Sequence, residues 1–221
     1  MCEDFAKDAM DHFFGEGDTP PVGKTTSRAT SLTAAPAPKK TLPMGTAASA
    51  ISTVVAGGFK KLGKMHAGPI LADLLELLEV PEGQRASIQG KSVCMGLTAF
   101  ASGDKLASVP VVNNYTKDKI RWLKRFNEAI QRDPSFPRDF LYTSAVLNDS
   151  TQAEDHEDKH NRGPNITFSL GRFLDGCLQI KTSEGWADVD THDRYVLFDG
   201  SLTHRVTPFT GRRWSVVLFF H

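Results

Sequence analysis

Cysteine is scarce in this 221-residue chain: there are three (Cys2, Cys94, Cys177), and no two stand in a CxxC spacing. An odd and scattered set excludes a disulfide framework and the common zinc-ribbon patterns. Net charge is missing too, because 26 Lys and Arg balance 26 Asp and Glu, so the surface as a whole is no polyelectrolyte partner for nucleic acid. No stretch approaches the roughly 18 uninterrupted apolar residues of a membrane span. The acidic start lacks the basic residues and apolar run of a secretory signal. These absences leave a soluble protein of a reducing, intracellular compartment, cytoplasmic or nuclear, as the expectation.

The zero charge is a sum of unlike parts. Residues 1–16 carry five acids and one lysine, residues 17–64 seven bases and one acid, and residues 65–221 eighteen bases and twenty acids. From residue 18 to 58 Thr, Ser, Ala, Pro and Gly dominate. Such a stretch has little large apolar surface to offset an ordering entropy of about 1–2 kcal/mol per residue. Residues 1–64 are therefore expected to be a disordered, low-complexity segment. Its Lys60, Lys61 and Lys64 form either a solvated basic linker or a weak contact for nucleic acid or an acidic partner. Oligomeric state leaves no signal.

The remaining 65–221 divides by period. Ile70, Leu71, Leu74, Leu75, Leu77 and Leu78 recur at three and four until Pro81 and Gly83, which predicts an amphipathic helix over 68–79. A second helix is predicted over 117–132, with Ile120, Leu123, Phe126 or Asn127, and Ile130 as its stripe, Thr116 as N-cap and Pro134 as its stop. These place helical support in 65–137. From 138 onward the period becomes strand-like, in seven short β-branched and aromatic runs at 140–147, 165–170, 177–181, 186–189, 195–198, 204–207 and 214–220. Gly-rich turns such as Asp175-Gly176 and Asp199-Gly200 separate them. The expected fold is mainly β, a sandwich or small barrel with helices packed outside.

Chemistry concentrates in this β half. His156 and Asp158, in Glu154-Asp155-His156-Glu157-Asp158, are two residues apart and share one face of an extended strand. An imidazole, a carboxylate and a second imidazole from elsewhere make a facial triad that holds Fe(II) with open positions, although a lone His-x-Asp recurs by chance in many chains. His204 follows the Asp199-Gly200 turn, and Arg213 and Ser215 share a face of the last apolar strand while Arg212 and Trp214 face the other way. An arginine fork inside a barrel suits the terminal carboxylate of a small dicarboxylate, with the serine hydroxyl adding a hydrogen bond. A lone charge on such a strand would be costly without a partner. Asn161 reads either as a turn stabiliser or as a substrate contact. His192 reads as a surface loop residue, Arg212 as solvent-facing and Cys177 as a small core residue.

The order His156-x-Asp158, His204, Arg213-x-Ser215 resembles the signature of the Fe(II)- and 2-oxoglutarate-dependent dioxygenases, and the surrounding residues are similar to such domains of algae and protists. The resemblance covers about residues 138–221. It implies a double-stranded β-helix, the cupin-type jelly roll, within a dioxygenase domain over 65–221. It further implies that His156, Asp158 and His204 bind iron and that Arg213 and Ser215 bind 2-oxoglutarate, with O2 as second cosubstrate and ascorbate as a supporting reductant. The family order favours His156 over His160 as the first ligand. The implied activity is hydroxylation or oxidative demethylation of a protein side chain, a nucleic-acid base or a small molecule. A catalytically silent cupin-like binding module is the rival reading, and it has no need of Arg213 and Ser215.

Overall fold

The computed structural model describes residues 58–82, 88–102, 105–110 and 117–221. The expected disorder up to residue 57 and the expected Thr116 cap lie outside them. In chain order the elements are β1 (Phe59–Lys64), α1 (Gly68–Glu76), β2 (Ile88–Ser102), β3 (Lys105–Pro110), α2 (Lys117–Arg132), β4 (Ser144–Ala153), β5 (Asn165–Asp175), β6 (Leu178–Thr182), β7 (Gly185–Val189), β8 (Arg194–Phe198), β9 (His204–Val206) and β10 (Phe209–Phe219). A seven-stranded sheet runs β1-β8-β5-β10-β4-β2-β3, and a three-stranded sheet runs β7-β6-β9. Every pairing is antiparallel. No helix among the described residues is long and apolar enough to cross a membrane.

The central strands β5 and β10 of the large sheet are buried on both faces along much of their length, and this explains their sequence. Along β5 every residue from Asn165 to Leu170 is buried. Ile166, Phe168 and Leu170 belong to the core beneath the helices, while Asn165, Thr167 and Ser169 alternate with them and turn to the interior between the sheets. Strand β10 does the same, with Trp214, Val216 and Leu218 under the helices and Arg213, Ser215 and Val217 lining the interior cavity. Leu178, Ile180 and Val189 of the small sheet meet Val196 and Phe198 of the large one in a second core. That core closes the barrel beside the cavity.

Helix α2 has the predicted span, and Phe126 and Ile130 of the predicted stripe are buried, but Trp122 and not Ile120 continues it. Trp122, Phe126 and Ile130 recur at four and are buried, whereas Ile120 is half exposed. Trp122 stacks on Phe126 at 4.9 Å, and its indole N–H donates to Leu74 O at 2.6 Å, which locks α2 to α1. Each such side chain contributes about 1.5–3 kcal/mol by leaving water. Helix α1 ends at Glu76, short of the predicted 79, because Leu77 and Leu78 donate back to Leu74 and Leu75 in a tightened last turn. Ahead of α1, the N–H groups of His66 and Ala67 both donate to Asp133 Oδ2, at 2.8 and 2.7 Å. A residue just past α2 thus caps the start of α1.

Two expectations are corrected. The last residues of the segment expected to be disordered form β1, paired with β8 through Phe59↔Phe198 and Lys61↔Val196. Phe59 and Leu62 pack on the two cores, so anchoring side chains and an open strand edge outweigh the composition. Lys60, Lys61 and Lys64 stay exposed, as suits an edge strand. The region expected to give only helical support contains β2 and β3. β2 pairs with β4 from Ile88↔Ala153 to Gly96↔Ser144, and its Val93 and Met95 are buried. Ser, Cys and Gly dilute its alternation, and the β4 ladder supplies what intrinsic propensity does not.

Candidate metal and anion site

One cavity of about 330 Å³ opens between the sheets, and His156, Asp158, His204, Arg213 and Ser215 all line it. A bulge sets part of its wall. Gln89 pairs with Gln152 and Lys91 with Asp149, so two β4 residues stand opposite one on β2, and Ser150 takes φ 53°. The extra residue flips the alternation. Val146 and Asn148 before it, and Thr151 and Ala153 after it, therefore all face the cavity.

His156, Asp158 and His204 each present one donor atom, and these atoms lie within 4.8 Å of one another. His204 Nε2 is 3.9 Å from Asp158 Oδ2. The imidazoles are prepared alike. His156 Nδ1 sits 2.7 Å from Glu154 O, and His204 Nδ1 sits 2.8 Å from Leu202 O. A carbonyl only accepts, so each Nδ1 carries the proton and each Nε2 keeps its lone pair for a metal. Burial and the neighbouring His156 depress the His204 pKa, outweighing the opposing pull of Leu202 O and Asp158, which favours the neutral, ligating form. The donor set fits a divalent transition metal with open positions: two imidazoles and a carboxylate, no thiolate.

Arg213 supplies the other pole. It is 3% exposed; among the described residues its Nε has no hydrogen-bond partner, and its side chain bonds from Nη2 to Thr191 Oγ1 at 3.4 Å. Burial pushes its pKa down to about 10, with no carboxylate opposing the shift. Phe173 and Phe209 flank the guanidinium at 5.5 and 5.7 Å. Gly176, at φ +74°, leaves the room it needs, since a Cβ there would stand 3.2 Å from Arg213 Nε. A buried cation with unspent donors calls for an anion. The terminal carboxylate of 2-oxoglutarate fits that need.

Ser215 completes this end through a row that crosses the sheet. Ser92, Asn148 and Ser215 stand opposite one another on β2, β4 and β10. Ser92 Oγ donates to Asn148 Oδ1 at 2.7 Å, and Asn148 Nδ2 donates to Ser215 Oγ at 3.2 Å. Ser215 accepts there, which leaves its own proton free for a ligand in the cavity.

Sequence reasoning did not find Asn148, Thr151, Thr167 or Thr191. Period-2 parity would have marked Thr167 and Asn148, but a bulge and a loop place the other two. The remaining candidates fall outside the donor group. His160 is exposed at the outer part of the cavity. His192 bonds Gly171 O at 3.2 Å through Nε2 and leans on Phe173. Cys177 is a half-buried free thiol, pushed up in pKa by burial and nearby carboxylates. Arg212 is half exposed but not idle: it chelates Asp149 at 3.2 and 3.0 Å and pairs with Glu76, tying α1 to the sheet.

No family model matches the sequence, and no curated protein does. Solved structures do. An oxidoreductase of the 2OG-Fe(II) oxygenase family from Burkholderia pseudomallei is 16% identical, with a TM-score of 0.51 over 80% of this chain and 90% of that one. A prolyl hydroxylase from Trichoplax adhaerens, in complex with a hypoxia inducible factor peptide, is 15% identical with a TM-score of 0.49 over 79% and 88%. A prolyl-4-hydroxylase from Pseudomonas putida is 13% identical with a TM-score of 0.48 over 79% and 98%. At the first of these likenesses the fold is that of the 2OG-Fe(II) oxygenases, the jelly roll expected from the sequence.

Proposed function

We propose that the chain is an Fe(II)- and 2-oxoglutarate-dependent dioxygenase that hydroxylates or oxidatively demethylates its substrate and releases succinate and CO2. The observation that carries this reading is the pairing, in one cavity, of a three-donor metal group with a buried arginine that has no carboxylate partner among the described residues. Iron, when bound with 2-oxoglutarate and O2, supplies the oxidation itself. His156, Asp158 and His204 hold the metal on one face. Arg213 and the Ser215 hydroxyl bind the far carboxylate of 2-oxoglutarate and so point its keto-acid end toward the metal. The apolar lining of Val146, Val206, Val217 and Phe198 keeps water away between the two poles. A silent binding module with this fold would have no use for the Arg213 end.

Succinate release from 2-oxoglutarate by the purified protein, with Fe(II) and ascorbate, tests the reading against His204→Ala and Arg213→Ala. Release by the wild type that falls to background in both variants is expected. Equal release by all three overturns it.

A further inference from the structure

The Asp158 carboxylate is the one triad donor whose side chain is held by other side chains. Asp158 Oδ2 accepts from Asn165 Nδ2 at 3.0 Å and from Asn161 Nδ2 at 3.3 Å. Asn161 Nδ2 also lies 3.1 Å from Asn165 Oδ1. That contact fixes which way the Asn165 amide faces: its oxygen accepts from Asn161, so its NH2 must point at Asp158. The backbone closes the arrangement, since Asp158 N–H donates to Gly200 O at 2.7 Å and Asn161 N–H donates to Asp158 O at 3.3 Å.

Two features mark the arrangement as built for this purpose. Asn165 is fully buried, at 0% exposure, as the first residue of β5, and its amide is spent on Asp158 and Asn161. Gly200 is the residue its position admits. A Cβ there would fall 2.3 Å from Asn165 Nδ2 and 3.2 Å from Asp158 Cβ, so any side chain at 200 would displace the amide or the carboxylate.

We propose that Asn161, Asn165 and Gly200 form a clamp that positions the Asp158 carboxylate as a metal ligand, with the two asparagines as positioning residues. The inference rests on the metal-centre reading above. Rotation about the last bond of an aspartate is soft, and a loose carboxylate can meet a metal through one oxygen or through two. Two-oxygen contact would take up one of the positions that a three-residue site leaves open. Two amide N–H groups on Oδ2, the oxygen that lies 3.9 Å from His204 Nε2, fix the carboxylate plane relative to the imidazoles. The clamp would therefore hold the carboxylate in one orientation toward a bound metal and keep the open positions available for 2-oxoglutarate and O2.

The test is metal binding by the full chain, freed of metal with a chelator and titrated with Co(II) and Mn(II) by calorimetry, with the Co(II) visible spectrum recorded at saturation. Wild type, Asn161→Ala, Asn165→Ala and Gly200→Ala are compared, and the melting temperature of each metal-free protein is measured. Metal affinity should fall about 10- to 100-fold in the variants, with a changed Co(II) band. Asn161 is only half buried, so Asn161→Ala carries the test if Asn165→Ala does not fold. Variants that match the wild type in affinity and spectrum, even at a lower metal-free melting temperature, overturn the clamp and leave the proposed function standing. A wild type that binds neither ion overturns the metal-centre reading itself.

Discussion

His156 and His204 are joined backbone to backbone: His156 N–H donates to His204 O at 3.0 Å, His204 N–H donates to His156 O at 2.9 Å, and the ring centroids stand 4.2 Å apart. This isolated bridge ties the loop after β4 to the start of β9. Its hydrogen bonds need neither imidazole, so the scaffold and the ligands can be tested apart. His156→Ala, at a half-buried position, should cost roughly 1 kcal/mol or less while metal affinity falls at least 100-fold. His160→Ala should leave metal affinity unchanged. Thermal melts alongside Co(II) titration read both; a His160 variant that loses the metal would reassign the triad.

Arg213 sets stability against function. The metal-free protein pays to bury an unpaired guanidinium, so Arg213→Met should melt at the wild-type temperature or higher, a change of roughly 0 to +4 kcal/mol. Added 2-oxoglutarate with Mn(II) should raise the melting temperature of the wild type by mass action and leave the variant unmoved. A variant that is less stable without ligand would mean that Arg213 has a partner in the resting protein.

Asn148 and Ser215 should act as a unit. Asn148→Ala frees the Ser215 hydroxyl to turn away from a bound carboxylate, a loss of about 1 kcal/mol. The expected result is a five- to tenfold rise in KM for 2-oxoglutarate with kcat unchanged at saturation. Ser215→Ala should do the same, and the double variant little more. Additive effects would separate the two residues.

Asp133 carries a pH signature of its own. Burial by itself would raise this carboxyl, but the N–H groups of Ala67, Ser135 and His66, with the His66 charge, outweigh it and hold the pKa below its ordinary value. The stability it contributes is therefore fully present above the unfolded value, about pH 4, and is lost as pH falls through the lower folded value. Asp133→Asn should cost about 1.5–3 kcal/mol at pH 7, and urea melts of wild type and variant should converge below pH 4. A gap that persists at pH 2 would contradict this account.

The sequence by itself determined the parity of the last strands and the identity of the donors. A β-strand alternates at period 2 whatever surrounds it, so Arg213 and Ser215 had to share a face; His156 and Asp158 lie instead in the loop after β4, where the backbone bonds to His204 and Gly200, and not strand parity, set them. The α2 stripe was legible at Phe126 and Ile130 and missed Trp122, and β2 and β3 were missed; the Ser, Cys and Gly of β2 carry little strand signal until a neighbouring strand satisfies their backbone. Tertiary structure alone decided the rest. It brought His204 to His156 across 48 positions of chain, turned Thr151 inward through a bulge, left Arg213 without a carboxylate among the described residues and set Asn161, Asn165 and Gly200 around Asp158. These are long-range packing outcomes, fixed by which strands pair and in what register, and no local period encodes them.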